Sequence, residues 1–303
     1  MAPIPSRPLP LRPLKGARIL SLALNLPGPA ALMRCRQMGA HCVKLEPPAP
    51  AGEPKDSSGD PMGQYSVSSY QQLSQGVRIA HADLKSEAGQ KVLHRELAKS
   101  DVLITSFRPS ALRKLGLGWK ALHRLYPALS MVAIYGAIGA AAEQPGHDLT
   151  YLAESDLVTG LDLPPTLYAD MGGSLMASEA VLGAYVQQLK TGKGSYQQVG
   201  LAQAAAYLAL PRSWGLTTPG AAVGGGHAGY RVYACQDGRV AVAALEPHFA
   251  AALGAAVGLE KSHMLAMFAP QTQQAFSAFF ARHTRRQLEQ LARERDIPLH
   301  TLA

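Results

Sequence analysis

The 303-residue sequence has few charged, aromatic and cysteine residues, and each shortage excludes a class of protein. Charged residues make up 17% and hydrophobic residues 47%, so the chain can bury a large core and is not a disordered protein. Three cysteines, Cys35, Cys42 and Cys235, cannot build a disulfide framework. No apolar run approaches the roughly 20 residues that a transmembrane helix needs, and no signal-peptide pattern opens the sequence. We therefore expect a cytoplasmic protein with no membrane association.

The charge that is present is mostly positive. The sequence has 29 Lys and Arg against 21 Asp and Glu, a net charge of +8 that favours anionic partners. Aromatic residues are only 6% and the basic residues are scattered, so we do not expect a nucleic-acid site. A phosphorylated small molecule explains the excess of positive charge equally well.

Strands alternate with helices over the first half of the chain. Five prolines in residues 1–14 predict an extended arm. Strands are predicted at 18–24, 41–45, 77–84, 101–106 and 129–135. Residues 172–209 read as helical apart from a turn at 191–194. This alternation predicts an α/β fold with a Rossmann-like, mostly parallel sheet.

The pattern changes near residue 226. Two strands, at 230–235 and 240–245, flank a short polar turn, and helical patterns follow to residue 295. We therefore expect a large domain at 1–225 and a smaller α+β domain at 226–303. The glycine-rich stretch 219–229 is typical of a linker or a mobile loop.

Several common sites lack their sequence signature. The first strand-to-helix turn has only Gly28 of the three glycines that a dinucleotide fingerprint requires. The ten histidines are dispersed and no Cys-x-x-Cys occurs, so no metal site is expected. No Gly-x-Ser-x-Gly elbow of a serine hydrolase is present.

Three titratable residues stand at predicted element boundaries, where rigid scaffolds present catalytic groups. His147 opens a predicted helix in a Gly-His-Asp motif, Asp170 precedes another helix, and Glu246 ends a strand in a Leu-Glu-Pro motif. A helix start also offers peptide N–H donors to a developing oxyanion. Each residue also has a purely structural interpretation: an N-cap for Asp170, a satisfied polar side chain for His147 and a surface charge for Glu246.

Taken in order, motifs from residue 14 to residue 259 resemble those of the family III CoA transferases, and within them the α-methylacyl-CoA racemases. Individually the motifs are short, but a dozen of them occur in register. The matching segments are 14–20, 39–47, 83–85, 101–109, 115–118, 146–148, 151–153, 164–165, 169–173, 191–194, 237–238 and 244–247.

The resemblance implies a coenzyme A site on the Rossmann-like sheet and an interlocked homodimer. It also implies an active site between the large domain of one chain and the small domain of its partner. Family transferases use an aspartate at the position of Asp170 as a nucleophile that becomes acylated. The racemases keep that aspartate and add the histidine of Gly-His-Asp, here His147, accompanied by a glutamate that matches Glu246. All three are present, which favours a racemase.

Racemisation next to a thioester carbonyl explains why these residue types are needed. A proton leaves one face of the α-carbon and another returns to the opposite face, so two acid/base groups must flank that carbon. His147 and Asp170 would be this pair, and Glu246 would hold the imidazole. The peptide N–H of Asp148 would donate to the enolate oxygen. In the transferase alternative, Asp170 attacks the thioester and His147 has no required role.

The expected substrate is an acyl-CoA, with coenzyme A bound as part of it and no tightly bound cofactor. Arg108 is the first candidate for contact with the coenzyme, followed by Lys44 and Arg78, for which a plain surface charge is equally consistent. Gly146 belongs to the same site, and Tyr151 either lines the acyl pocket or packs.

Two departures from the family leave a third hypothesis open. Residues 74–78 lack two cations that the family has before its third strand, and the sequence ends at Ala303, before the family returns to its large domain. The interlock would then be incomplete. The third hypothesis is a catalytically degenerate paralogue that binds acyl-CoA without turnover.

Overall fold

In a computed structural model, which describes residues 11–50, 52–53, 58–259 and 264–303, a six-stranded parallel sheet organises the first part of the chain. Its order is β3-β2-β1-β4-β5-β6. The strands are β1 (Arg18–Ser21), β2 (His41–Glu46), β3 (Arg78–His81), β4 (Val102–Thr105), β5 (Ser130–Tyr135) and β6 (Tyr196–Gly200). The predicted α/β fold with a Rossmann-like sheet is confirmed. Of the predicted arm, residues 1–10 lie outside the described residues.

Helices cover both faces of this sheet. They are α1 (Pro27–Gln37), α2 (Pro61–Tyr65), α3 (Val67–Ser74), α4 (Glu87–Leu97), α5 (Pro109–Lys114), α6 (Trp119–Leu125), α7 (Asp148–Glu154), α8 (Tyr168–Thr191) and α9 (Leu201–Leu208). A 3₁₀ turn spans Gly139–Glu143. Because the central strands are buried on both faces, they read as continuous apolar runs rather than as an alternation. Every residue of β4 and of β5 is buried.

The strand β6 was not predicted. Its sequence, Tyr-Gln-Gln-Val-Gly, offers one aliphatic side chain and no apolar alternation, because it lies at the edge of the sheet. The helical prediction for this segment is wrong for Tyr196–Gly200. The turn predicted before it is present, since α8 ends at Thr191 and Gly192 takes the left-handed conformation at φ +68°.

Strands β1 and β4 are neighbours at the centre of the sheet, and the chain builds outwards from them in both directions. Ligands of open α/β sheets bind beside such a reversal, outside the carboxyl ends of the strands. The segments that follow β1 and β4 contact each other at this reversal, because the N–H of Leu24 donates to the Oγ of Ser106 over 3.3 Å.

The chain divides into two compact units, Met1–Ala209 and Leu210–Ala303. In the second, β7 (Tyr230–Cys235), β8 (Gly238–Ala243) and β9 (Leu299–Leu302) form an antiparallel sheet. Its helices are α10 (Leu210–Ser213), α11 (Pro247–Val257), α12 (Pro270–Phe280) and α13 (Arg285–Arg295), with 3₁₀ turns at Ala222–Gly224 and Met264–Phe268. The domain boundary predicted between residues 225 and 226 lies further along the chain than the division between these two units. That boundary and the interlocked dimer both stay predictions.

The described residues include no helix that is long and apolar enough to cross a bilayer.

Candidate functional site

A cavity of about 570 Å³ opens at the carboxyl ends of β1, β4 and β5 and brings two of the predicted catalytic side chains together. His147 and Asp170 both line it, as do Asp148 and Arg108. Most of the remaining wall is apolar. It is formed by Leu24, Leu26, Pro27, Met62, Ile134, Leu149, Leu167 and Leu201.

His147 is the residue that precedes α7, and its backbone is fixed by a side chain one turn along the helix. The hydroxyl of Thr150 donates to the carbonyl of His147 over 2.7 Å and accepts its N–H over 3.1 Å. This reciprocal pair holds the start of the helix in the manner of a capping box. These two bonds therefore fix the backbone from which the imidazole projects, and the residue is exposed.

Asp170 lies in the first turn of α8 and is tied to α7. Helix α8 begins at Tyr168 after Leu167, so Asp170 is not the N-cap that the structural interpretation proposed. Its N–H donates to Oδ1 of Asp148 over 2.9 Å. Asp148 is 5% exposed, so a buried carboxylate links the starts of the two helices that carry His147 and Asp170.

The environment of Asp170 disfavours its charge. Burial raises the pKa of this carboxyl, the neighbouring Asp148 raises it further, and His147 lowers it in part, so that the pKa is about 6. A carboxyl that titrates near neutral pH can both take and return a proton under physiological conditions. Asp170 is therefore suited to acid/base work.

Gly146 and Tyr151 form one packing unit at the edge of the cavity. A Cβ on Gly146 would lie 2.5 Å from the hydroxyl oxygen of Tyr151, and a Cβ on Gly136 would also overlap this oxygen. Tyr151 is 6% exposed and fills the space that the two glycines leave. Burial, followed by the charge of Asp170, raises the pKa of this phenol, so the hydroxyl remains protonated. Contact of Gly146 and Tyr151 with a ligand stays a prediction.

The three basic residues expected near the coenzyme separate in the structure. Arg108 lines the cavity at the start of α5. Lys44 is 2% exposed, with its ammonium between the carboxylates of Glu46, at 2.8 Å, and Asp60. We therefore assign Lys44 to a buried ion network rather than to the coenzyme. Arg78 lies at the amino end of the edge strand β3, where it pairs with Glu96, and its predicted contact with the coenzyme stays a prediction.

A second cavity, of about 790 Å³, adjoins the first, since Leu24 lines both. It extends along the carboxyl ends of β1 to β4 and has largely apolar walls, with Lys85 and Lys114 among the lining residues. The sequence did not single out these two lysines, although Lys85 lies in the loop after β3 and Lys114 ends α5, the helix that follows β4, both on the binding edge of the sheet.

Glu246 belongs to the second unit. It is exposed and directly precedes α11, where Pro247 occupies the first helical position. Its side chain makes no capping hydrogen bond to α11. Its action on His147 stays a prediction.

Across the described ranges, no group of three or more His, Cys, Asp or Glu residues is arranged to hold a metal ion. The charged and titratable groups on the wall of the smaller cavity include an imidazole, two carboxyls and a guanidinium. Such a set can move protons or bind an anionic group, and Asp170 can also act as a nucleophile.

Comparisons with known proteins identify the family to which the chain is similar. The profile described as CoA-transferase family III matches residues 14–303. Alpha-methylacyl-CoA racemase of Homo sapiens is 30% identical over 294 aligned positions, and the match covers 90% of this chain and 73% of the racemase. Succinyl-CoA–D-citramalate CoA-transferase of Chloroflexus aurantiacus is 31% identical over 208 aligned positions, and the match covers 63% of this chain and 50% of the transferase. The chain thus spans about half the length of that transferase.

The fold has relatives among solved structures. A CAIB/BAIF family protein from Brucella suis superposes with a TM-score of 0.74 at 20% identity, covering 97% of this chain and 84% of that protein.

Proposed function

The chain belongs to CoA-transferase family III, as its motifs indicated, and from that membership we propose that it is an acyl-CoA racemase acting on a 2-methylacyl-CoA. The observation that carries the proposal is the joint placement of His147 and Asp170 in one cavity, with their helices linked through Asp148. A transferase requires the aspartate as its nucleophile, but its mechanism does not require an imidazole beside that aspartate.

In the proposed reaction, one of the two groups removes the proton from the α-carbon and the other delivers a proton to the opposite face. The electron pair of the broken C–H bond moves into the carbonyl, which becomes an enolate, and returns when the new C–H bond forms. A pKa of about 6 lets Asp170 accept a proton at neutral pH and return it readily. The reaction consumes no co-reactant.

The enolate oxygen requires hydrogen-bond donors. Asp148 is the first residue of α7, and the N–H groups of a first helical turn have no acceptor within the helix. We assign the peptide N–H of Asp148 to this oxygen. Removal of such a donor typically costs about 10²–10³ in rate.

Coenzyme A would lie along the carboxyl edge of the sheet. The larger cavity would take the nucleotide portion, with the ammonium groups of Lys85 and Lys114 near its phosphates. Arg108 would lie near the pantetheine arm, and the thioester would enter the smaller cavity past Leu24. The coenzyme is then a part of the substrate, with no separate tightly bound cofactor.

A homodimer is part of the proposal. Helix α8 exposes Met171, Leu175, Val186 and Leu189 at helical spacing, a stripe that a second copy would cover. The proposed role of Glu246, as the group that holds the imidazole of His147, rests on the resemblance alone. Its test is Glu246→Gln, which we expect to lower the exchange rate.

The relatives also include CoA-transferases, which supports a second candidate function. Asp170 would then attack the thioester carbonyl, expel the CoA thiolate and form a mixed anhydride. The thiolate would attack the aspartyl carbonyl, which releases the first carboxylate and leaves an aspartyl-CoA thioester. A second carboxylate would displace the thiolate to form a new anhydride, and attack of the thiolate on its acyl carbonyl would give the new acyl-CoA and free Asp170. A catalytically degenerate protein would bind the thioester and do neither.

Exchange of the α-proton separates these candidates. We expect a 2-methylacyl-CoA incubated with the protein in deuterated water to gain one deuterium by mass spectrometry. His147→Ala should abolish the gain, whereas His41→Ala, an exposed histidine at the amino end of β2, should leave it unchanged. Transfer of CoA to a second carboxylate without exchange would replace the racemase by the transferase, and binding without either reaction would leave the degenerate protein.

A further inference from the structure

The loop that follows β1 places one strained residue on the wall of the catalytic cavity. Asn25 lines this cavity and has a φ of +65°. In the described part of the chain, Asp156 and Asp296 are the other residues besides glycine with positive φ, and neither lines the cavity. Asn25 is also the only asparagine in the sequence. Left-handed backbone at a residue other than glycine costs about 1–3 kcal/mol and concentrates at functional sites.

A buried carboxylate holds this conformation. Oδ1 of Asp60 accepts the N–H of Asn25 over 3.0 Å and that of Met62 over 2.9 Å. The other oxygen of Asp60 pairs with the ammonium of Lys44. Because charge-assisted bonds to a buried carboxylate are strong, the network fixes the loop against its own strain. It also connects the loop to α2, which begins directly after Asp60.

The same helix orients the side chain of Asn25. The hydroxyl of Tyr65, at the end of α2, donates to Oδ1 of Asn25 over 3.2 Å. This bond uses the acceptor end of the carboxamide, so its NH₂ group is left to donate elsewhere. Burial, then the charges of Asp60 and Asp170, raise the pKa of Tyr65, which keeps the phenol protonated and places it within the field of Asp170.

We propose that the NH₂ group of Asn25 donates a hydrogen bond to the thioester oxygen, with Tyr65 and Asp60 as the residues that position it. The inference rests on the proposed function for its substrate. It adds to the Asp148 N–H a second donor, which comes from a different strand end and is held before the substrate arrives. Donors that need no reorganisation are the most effective at stabilising an enolate.

Because the chain has one asparagine, selective ¹⁵N-asparagine labelling yields one side-chain amide signal, which reads the contact directly by NMR. We expect a 2-methylacyl-CoA to shift this signal, and CoA lacking the acyl group to leave it in place. Tyr65→Phe should move the signal of the free protein and reduce the shift on binding. Tyr207→Phe, an exposed tyrosine on α9, is the matched control and should do neither.

Kinetics supply the second readout. Asn25→Ala should lower kcat for exchange about 10- to 100-fold while KM changes less than threefold. Tyr65→Phe should lower kcat about three- to tenfold, and should have no further effect in the Asn25→Ala background, because it acts through Asn25.

The two readouts separate this inference from the proposed function. An amide signal that stays in place when acyl-CoA saturates the protein, or an Asn25→Ala protein with unchanged kcat, overturns the inference while leaving the racemase intact. A shifted signal without exchange or transfer supports the contact and overturns the racemase. Failure of acyl-CoA to bind overturns both.

Discussion

At the scale of single residues, the cavity is defined by how neighbours change the properties of Asp170. Its carboxyl is half-buried beside a second carboxylate, so the folded protein holds a proton there more tightly than the unfolded chain does. Its contribution to stability is present below pH 3.8 and is lost as the pH rises through about 6. The same rise in pH generates the carboxylate that the proposed reaction needs, so the proposed function and the stability of the fold oppose each other at this residue.

Asp170→Asn should therefore stabilise the protein at neutral pH and abolish exchange. We expect about 1–2 kcal/mol in the free energy of unfolding above pH 7, and a difference that disappears below about pH 4. Urea denaturation at several pH values measures it, with Asp162→Asn, in an exposed loop, as the control. The exchange rate of the unaltered protein should rise with pH through about 6. A stability difference that does not vary with pH would contradict this account.

Part of this residue-level picture follows from the sequence. His147 and Asp170 could be predicted because their motifs stand where helices begin. The partnership of Asn25 with Asp60 could not, since it joins residues of two loops and depends on the way β2 and the segment after it pack. The burial of Lys44 has the same origin: a lysine within a short strand looks like a surface charge until both faces of the sheet are known to be covered.

At the scale of secondary-structure elements, the buried network of Lys44, Glu46 and Asp60 joins β2 to the loop after β1 and to the start of α2. Ser58 and Tyr70 donate to Glu46, at 2.8 Å and 3.0 Å, so α3 is attached as well. Two carboxylates share one ammonium in a volume that excludes water. Loss of that ammonium leaves two buried carboxylates with hydrogen-bond donors and, 3.8 Å from Glu46, the His81 imidazole, which is far more costly than loss of an exposed pair.

Lys44→Met should lower the free energy of unfolding by about 3–5 kcal/mol. The matched control is Lys91→Met, which removes an exposed ammonium paired with Glu87 one turn away on α4 and should cost less than about 0.5 kcal/mol. Urea denaturation compares the two. If Lys44→Met weakens CoA binding but leaves stability unchanged, then Lys44 belongs to the coenzyme site after all.

Elements were predictable where their burial is uniform. The central strands β4 and β5 are buried along their whole length and mostly apolar, because helices cover both faces. The long helix α8 is marked by its length and by the glycine that follows it. The edge strand β6 is polar enough to resemble a continuation of the helix before it, and only its pairing with β5 makes it a strand.

At the scale of the whole molecule, the second unit has a core of its own. Phe276 and Phe280 are fully buried there, with ring centroids 6.3 Å apart in an edge-to-face arrangement, and Tyr233 packs on both. The alternation of strands and helices predicted the class of the first unit. A hairpin followed by helices predicted the class of the second unit. The strand β9 was not predicted, because its four residues carry no recognisable strand pattern.

Phe276→Ala should remove about 3–5 kcal/mol of stability by leaving a cavity in this core. Amide hydrogen exchange should show the loss in β7, β8 and α12, while β4 and β5 retain most of their protection. Leu265→Ala, at an exposed position of the same unit, is the control. Equal loss of protection in β4 and β5 would mean that the two units unfold as one.

The space shared by Gly136, Gly146 and Tyr151 has a consequence for how the molecule can evolve. Each glycine lacks the atom that would collide with the same hydroxyl, so the two loops are coupled through one phenol ring. Among descendants of this gene, a bulkier residue at position 136 or 146 should survive only together with a shorter side chain than tyrosine at position 151. The residues at these three positions should then covary, although the positions are not adjacent in the sequence.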